Sequence, residues 1–173
     1  PNFYVDIKII DENGEACNRN QSGELLLKGP MVTTGYWKNP EATQETIKND
    51  WFHTGDIVQQ DEEDYLYIVD RIKNMYISGG ENVYPAEVER VLLSHPQVSE
   101  IAIIPVEDEK WGEVGQAFIV SKTDDLSEKA LKAYCQNHLA KYKIPKYFKF
   151  IETLPKNDTG KIDRKELRRT TGA

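Results

Sequence analysis

Three short stretches combine glycines with isolated ionisable side chains. They are Trp51-Phe52-His53-Thr54-Gly55-Asp56, then Asp70-Arg71-Ile72-Lys73 running on through Ser78-Gly79-Gly80-Glu81-Asn82-Val83-Tyr84-Pro85, then Leu154-Pro155-Lys156-Asn157-Asp158-Thr159-Gly160-Lys161. Each reads as a loop outside the regular elements. Gly55 lets the chain turn so that Asp56 projects, and an ionised carboxylate that accepts two hydrogen bonds suits a ribose diol. For a lone Gly-Asp pair, a turn-capping aspartate is the plainer reading. Arg71 carries a rigid fork of donors for phosphate or sugar oxygens, set against a surface salt bridge of little energetic weight. Thr159-Gly160-Lys161 places an ammonium after a glycine that permits close backbone approach, an arrangement suited to meeting an anion. It is not a Walker-type phosphate loop: no glycine stands five residues before Gly160, and no Ser or Thr follows Lys161.

The elements that must position these stretches follow from hydrophobic period. Phe3, Val5, Ile7 and Ile9 alternate with Tyr4, Asp6 and Lys8, the pattern of a half-buried strand, and Asn13-Gly14 follows as a hairpin-type turn. Glu24 to Lys28, Trp51-Phe52, Ile57 to Gln59 and Tyr65 to Val69 read as further strands, with Asp61 to Asp64 a solvated turn. Pro85 to Leu93 is helical, with Pro85 in the first turn and Val88, Val91 and Leu92 on one face. Val98 to Val106 and Gly115 to Ser121 are strands. Ser127 caps a second helix whose face carries Leu131, Tyr134, Cys135, His138 and Leu139, which makes His138 a core residue rather than a ligand. Tyr147 to Ile151 is one more strand, and a short charged helix closes the chain. The fold class is α+β: a β-rich segment over 1–70 and a mixed segment over 71–173, with the composition shift at Asp70 to Lys73.

A chain of 173 residues can bury a real core as one domain or two small ones. A net charge of −7 and a pI near 5.1 exclude the basic stripe of a nucleic-acid binder. No apolar run approaches the roughly 20 residues of a membrane helix, and the amino terminus lacks a basic segment followed by an apolar one, so a cytoplasmic protein is expected. Cys17 and Cys135 have neither metal-ligand spacing nor enough companions for a disulfide framework and read as reduced thiols. No metal-ligand set is expected. The chain opens at Pro1 directly into an alternating pattern, which reads as a piece cut from something longer.

The three stretches stand in the order and spacing of the adenylate-forming superfamily, the acyl-CoA synthetases, luciferase and peptide-synthetase adenylation domains. The resemblance begins at Gly23-Glu24-Leu25, continues through Gly35-Tyr36-Trp37-Lys38-Asn39-Pro40-Glu41-Ala42-Thr43 and runs to Lys161. It implies the carboxyl-terminal portion of an AMP-forming acyl-CoA synthetase, an ATP-dependent acid:thiol ligase acting on a carboxylic, expectedly fatty, acid. By the resemblance, residues 1–70 are the β-rich end of a large adenylation domain and residues 71–173 a mobile lid. Asp70 and Lys73 belong to the hinge between them. Asp56 would bind the ribose hydroxyls of ATP or AMP, Ile68 would lie beside the nucleotide, Arg71 would reach the ribose and phosphates, and Lys161 would be the catalytic lysine. Gly79, Gly80, Glu81 and Asn82 would receive CoA, the glycines leaving room for its pantetheine arm. Mg²⁺ would accompany the triphosphate.

Two departures from the pattern stand out: Asp64 replaces a usual glycine, and Asn74 a frequent aspartate after the hinge. The phosphate loop and acyl pocket of the family belong to the large domain, expected before Pro1, so that the chain alone is expected to be inactive. Two other readings compete: an adenylation domain loading a carrier protein, and a non-catalytic interaction module derived from such a lid. The stretch Ile77 to Glu89 resembles CoA ligases more than carrier-loading domains, and retention of Asp56, Arg71 and Lys161 weighs against the module. His53 reads as structural and Trp111-Gly112-Glu113 as a solvated acidic loop.

Overall fold

The computed structural model describes residues 4–171. Phe3, the first residue of the expected strand pattern, lies outside them. The chain divides into two compact units, Pro1–Lys73 and Asn74–Ala173. The division falls at the end of the Asp70 to Lys73 composition shift, three residues beyond the expected bound at 70, with Asp70 and Arg71 still hydrogen-bonded into the first sheet.

In the first unit β1 (Asp6–Ile10), β2 (Ser22–Lys28), α1 (Pro40–Thr46), β3 (Ile47–Lys48), β4 (Trp51–Gln60) and β5 (Leu66–Arg71) form an antiparallel sheet with one short helix. β4 is the central strand. It pairs with β2 on one edge, and with β3 and then β5 on the other. Asn49 and Asp50, both at positive φ, make the tight turn from β3 into β4. The two strands expected at Trp51-Phe52 and Ile57 to Gln59 are one continuous strand. Helix α1 was not expected, although its signal is local: the Asn39 side chain accepts the Ala42 N–H at 3.1 Å, Pro40 stands in the first turn and Glu41 follows. Among the described residues Leu26, Ile57 and Val58 are this unit's buried hydrophobics.

The second unit contains β6 (Tyr76–Ser78), β7 (Glu81–Val83), α2 (Pro85–Leu93), β8 (Val98–Asp108), β9 (Gly112–Ser121), α3 (Glu128–Gln136), β10 (Tyr147–Phe150) and α4 (Arg164–Thr171). β8 and β9 form a long antiparallel hairpin, β10 joins β9 in parallel, and the β6–β7 hairpin attaches through Ser78 opposite Gly112. The class is α+β, as expected. Ile101 and Ile103 of β8 and Ala117 and Ile119 of β9 face a core built with Val88 and Leu92 of α2 and Leu131 and Cys135 of α3. Ala102, Ile104 and Phe118 point the other way, onto Leu154 and Leu167 of α4. A hairpin covered on both faces reads as an uninterrupted apolar run, which is why Ile101 to Ile104 lacks alternation.

Ser127 caps α3 as expected, accepting the Ala130 N–H at 3.2 Å. His138 departs from expectation. The helix stops at Gln136, and His138 is exposed beyond it, stacked on Tyr134 with ring centroids 4.3 Å apart and bonded through Nδ1 to the Tyr134 carbonyl. Extending the helical face past its cap is what placed it in the core. Both cysteines are free thiols.

Leu131 is fully buried between α3 and the sheet. Leu131→Ala should cost about 2–5 kcal/mol of unfolding free energy, read by chemical denaturation. Burial pushes the Cys135 thiol from 9.0 up to about 11. The folded state holds the neutral thiol, so this contribution is fully present below the unfolded pKa near 9.0 and is lost as pH rises through about 11. Stability measured from pH 8 to 11 should fall by on the order of 2 kcal/mol more in the parent than in Cys135→Ala.

Candidate functional site

Asp56 and Arg71 meet in the first unit. Where β4 passes Leu25 of β2, three residues, Thr54, Gly55 and Asp56, occupy the space between the Leu26↔His53 and Glu24↔Ile57 pairs. The segment expected to turn is therefore a β-bulge within a strand, because the neighbouring strand continues on either side of it. Gly55 has φ +68 with open space where a Cβ would stand, so backbone conformation selects the glycine. Side chains fix the bulge. Glu24 accepts the Gly55 N–H at 3.1 Å and pairs with His53 Nδ1 at 2.9 Å, while Thr54 donates to the Leu25 carbonyl at 2.7 Å and accepts the Asp56 N–H at 3.0 Å. Asp56 is thereby aimed across the sheet at its register partner Arg71, whose Nε sits 2.5 Å from Oδ1. Both residues lie within strands, Asp56 at the end of the bulge in β4 and Arg71 at the end of β5, not in the loops expected, since β4–β5 pairing is what holds them opposite one another. Ile68, on the same strand as Arg71, is 67% exposed. Asp70 is buried and accepts the Arg71 N–H at 2.7 Å, and Lys73 is exposed in a single 3₁₀ turn, Ile72–Asn74.

Gly79, Gly80, Glu81 and Asn82 belong to the second unit. Ser78 pairs with Glu81, so Gly79 and Gly80 are the two central residues of a tight β-hairpin turn, with φ +62 and +89. Positive φ at both centres is what such a turn demands. Gly79 carries a further constraint: a Cβ there would lie 2.6 Å from Cε3 of Trp111, whose carbonyl accepts the Gly79 N–H at 2.9 Å. Of the Trp111-Gly112-Glu113 stretch, Gly112 and Glu113 open β9 rather than lie in a loop, while Trp111 stands exposed in the turn before them. Trp111 covers the glycine turn, Gly112 pairs with Ser78, and Glu113 accepts the Ile77 N–H at 3.3 Å. Beside the turn opens a cleft of about 510 Å³ lined by Ser78, Trp111, Lys132, Lys141, Tyr142 and Lys146 among others. These lysines escaped the sequence reading. The available signal was the basic run Lys141-Tyr142-Lys143 with Lys146 in an acidic chain. Lys146 pairs with Asp108, whose carboxyl it holds below the ordinary range, and Lys132 pairs with Glu128.

Lys161, also in the second unit, ends a loop rooted in the core. Lys156 and Ile162 form a β-bridge at its base, and the Asp163 N–H donates to the Pro155 carbonyl at 2.8 Å. Arg164 then locks α4 to α2 by donating through Nη2 to both Glu89 oxygens at 2.8 and 2.9 Å, while Glu89 also accepts the Ile103 N–H. Gly160 has φ +78 with nothing near its would-be Cβ, so the backbone conformation of the turn requires the glycine. Lys161 is exposed, and its ammonium has no hydrogen-bond or ion-pair partner among the described residues.

Among the described residues no three His, Cys, Asp or Glu side chains gather to hold a metal ion, and no helix is long and apolar enough to cross a membrane.

Residues 87–161 match the model of the AMP-binding enzyme C-terminal domain. A 2-succinylbenzoate–CoA ligase of Geobacillus kaustophilus is 47% identical over 98% of this chain, and a long-chain-fatty-acid–CoA ligase of Mycobacterium tuberculosis is 47% identical over 96%. The chain spans about a third of the length of these curated relatives (34% and 33%). The o-succinylbenzoate CoA synthetase of Bacillus subtilis, solved with its acyl-adenylate intermediate, superposes with a TM-score of 0.88 at 43% identity over 97% of this chain and 34% of its own. The chain therefore belongs to the adenylate-forming superfamily and corresponds to its carboxyl-terminal portion.

Proposed function

We propose that the chain is the carboxyl-terminal part of an AMP-forming acid:CoA ligase. The parent enzyme joins a carboxylate to the α-phosphorus of ATP with loss of pyrophosphate, then passes the acyl group to the sulfur of CoA with loss of AMP. Lys161 is the observation that carries this reading: an unpartnered ammonium on a rooted loop. In the first step two anions approach, and an ammonium placed at the α-phosphate stabilises the charge that develops as pyrophosphate leaves. Asp56 accepts the ribose hydroxyls and Arg71 reaches the ribose and phosphate oxygens. Their strand pairing supports these roles by holding both side chains at one spot, and exposed Ile68 offers the nucleotide an apolar neighbour.

The second step uses the other loop of the lid. Gly79 and Gly80, followed by Glu81 and Asn82, leave a narrow, side-chain-free turn past which the pantetheine arm runs. The adjoining cleft is lined by Lys132, Lys141 and Lys146 together with Trp111 and Tyr142; Lys132 and Lys146 are paired with Glu128 and Asp108, and Lys141 with the two aromatic rings offers the phosphorylated nucleotide of CoA a cation and stacking faces. This favours CoA over a carrier protein as acceptor. The two loops serve two half-reactions in turn if residues 71–173 rotate as a lid about Asp70 to Lys73, whose buried aspartate and exposed lysine suit the fixed and moving sides of a hinge. A large domain preceding this part supplies the phosphate loop and acyl pocket. The exposed Trp37, Tyr65, Tyr67 and Ile68 of the first unit fit such a neighbour. Mg²⁺ enters as the companion of the triphosphate, which it neutralises, and no residue of this chain is assigned to it. The relatives' names divide between 2-succinylbenzoate and long-chain fatty acids at equal identity, so the likeness supports a carboxylic acid as substrate class rather than a fatty acid in particular. A cytoplasmic setting, where ATP and CoA are supplied, fits this reading.

In the full-length parent, Lys161→Ala should lower acid-dependent ATP–pyrophosphate exchange by roughly 100-fold or more while CoA-dependent consumption of a supplied acyl adenylate stays within a few-fold. Surviving exchange would remove Lys161 from the chemistry. Residues 1–173 alone should bind AMP with a Kd of about 1 mM or weaker, having lost most adenine and phosphate contacts; micromolar binding by calorimetry would contradict this.

A further inference from the structure

We infer that Asn157 is a positioning residue that sets the lysine at 161 for the adenylation step. The inference rests on the reading of Lys161 given above. Asn157 grips Lys161 from both sides: its backbone N–H donates to the Lys161 carbonyl at 2.8 Å, and its Oδ1 accepts the Lys161 N–H at 3.0 Å. The same Oδ1 accepts the Thr159 N–H at 3.0 Å and the Thr159 hydroxyl at 2.7 Å, and the Asn157 carbonyl accepts the Gly160 N–H at 2.8 Å. One side-chain oxygen thus takes three donors of the loop, and the backbone of the same residue takes a fourth and donates to the Lys161 carbonyl.

Its neighbours do a separate job. Leu154 and Ile162 anchor the loop in the apolar layer under α4, and the Lys156–Glu100 ion pair at 2.8 Å holds its first strand. Those contacts fix the base, and only Asn157 reaches the tip. Residues 157 to 161 are all exposed, so the clasp adds little to the stability of the unit. Its effect is on where the Lys161 Cα sits and in which direction its four-carbon stem departs. A misplacement of about 1 Å at a reacting centre is enough to cost two orders of magnitude in rate. An asparagine suits the task because its short amide oxygen bonds to backbone N–H groups two and four residues on, a turn that longer or apolar side chains do not make.

The test uses the full-length parent with Asn157→Ala, Asn157→Asp and Lys161→Ala, each carried through both half-reactions. Asn157→Ala is expected to lower kcat of ATP–pyrophosphate exchange by roughly 10- to 100-fold, with KM for ATP within about threefold and acyl-adenylate consumption by CoA within about twofold. Asn157→Asp keeps the acceptor oxygen in place and should recover exchange to within about threefold of the parent. In the Lys161→Ala background, Asn157→Ala should add no further loss. Unchanged exchange in Asn157→Ala, equal loss in both half-reactions, or an aspartate variant no better than alanine would each overturn the inference while leaving Lys161 in its role. Exchange surviving Lys161→Ala would instead overturn the reading of Lys161, and this inference with it.

Discussion

The β8–β9 hairpin, apolar on both faces, is the constraint on which the second unit depends. Ile101 and Ile103 look toward α2 and α3 while Ala102 and Ile104 look toward α4, so the pair must be covered twice. That demand brings together helices distant in sequence, and the candidate loops hang from the elements so recruited. The hairpin turn carries Trp111 over Gly79, and the covering helix α4 draws the Lys161 loop against the sheet. Burial of this kind contributes roughly 1.5–3 kcal/mol per large aliphatic side chain, far more than any surface ion pair among the exposed loops.

Rigidity in those loops comes from a different source. In the Gly79-Gly80 turn it is backbone conformation, since two adjacent residues at positive φ leave few alternatives. In the bulge at Gly55 it is Glu24 and Thr54, whose side chains bond to the backbone the ladder leaves unpaired. In the Lys161 loop it is Asn157 at the tip and the Arg164–Glu89 pair behind it. Arg164 is largely covered, and its Nε is buried without a partner, so the pair is better viewed as fixing the register of α4 on α2 than as a large source of stability. The side chains of Arg71 and Lys161 are exposed and that of Asp56 is half-buried. Order is supplied to the backbone beneath them, while the Arg71 guanidinium is held by Asp56 and the Lys161 ammonium has no partner among the described residues.

The two units differ in how much they enclose. The second has a closed core on each side of its sheet. The first buries few side chains and presents Trp37, Tyr65, Tyr67 and Ile68 outward, an apolar display that a free-standing surface rarely keeps. Under the proposed function these aromatics and Ile68 await a domain and a nucleotide, and the Asp56–Arg71 pair, on the strands β4 and β5, is a preformed polar contact that exchanges partners when ribose arrives.

The sequence by itself determined the α+β class, helix α2 with its bounds, the Ser127 cap and the strands β1, β2, β8, β9 and β10 to within a few residues, because these rest on local period and local hydrogen bonding. It also singles out Asp56, Arg71, the glycine pair and Lys161 as candidates for the proposed site. Only the tertiary structure decided that Gly55 is a bulge and not a turn, because the deciding fact is the strand beside it. The same holds for Trp111, whose place over Gly79 depends on a contact between residues 32 positions apart in the chain, and for the lysines of the cleft, which α3 and the segment between α3 and β10 bring together. His138 failed for the opposite reason. Its helical period was real, but the helix ended two residues earlier, and a period says nothing about where hydrogen bonding stops.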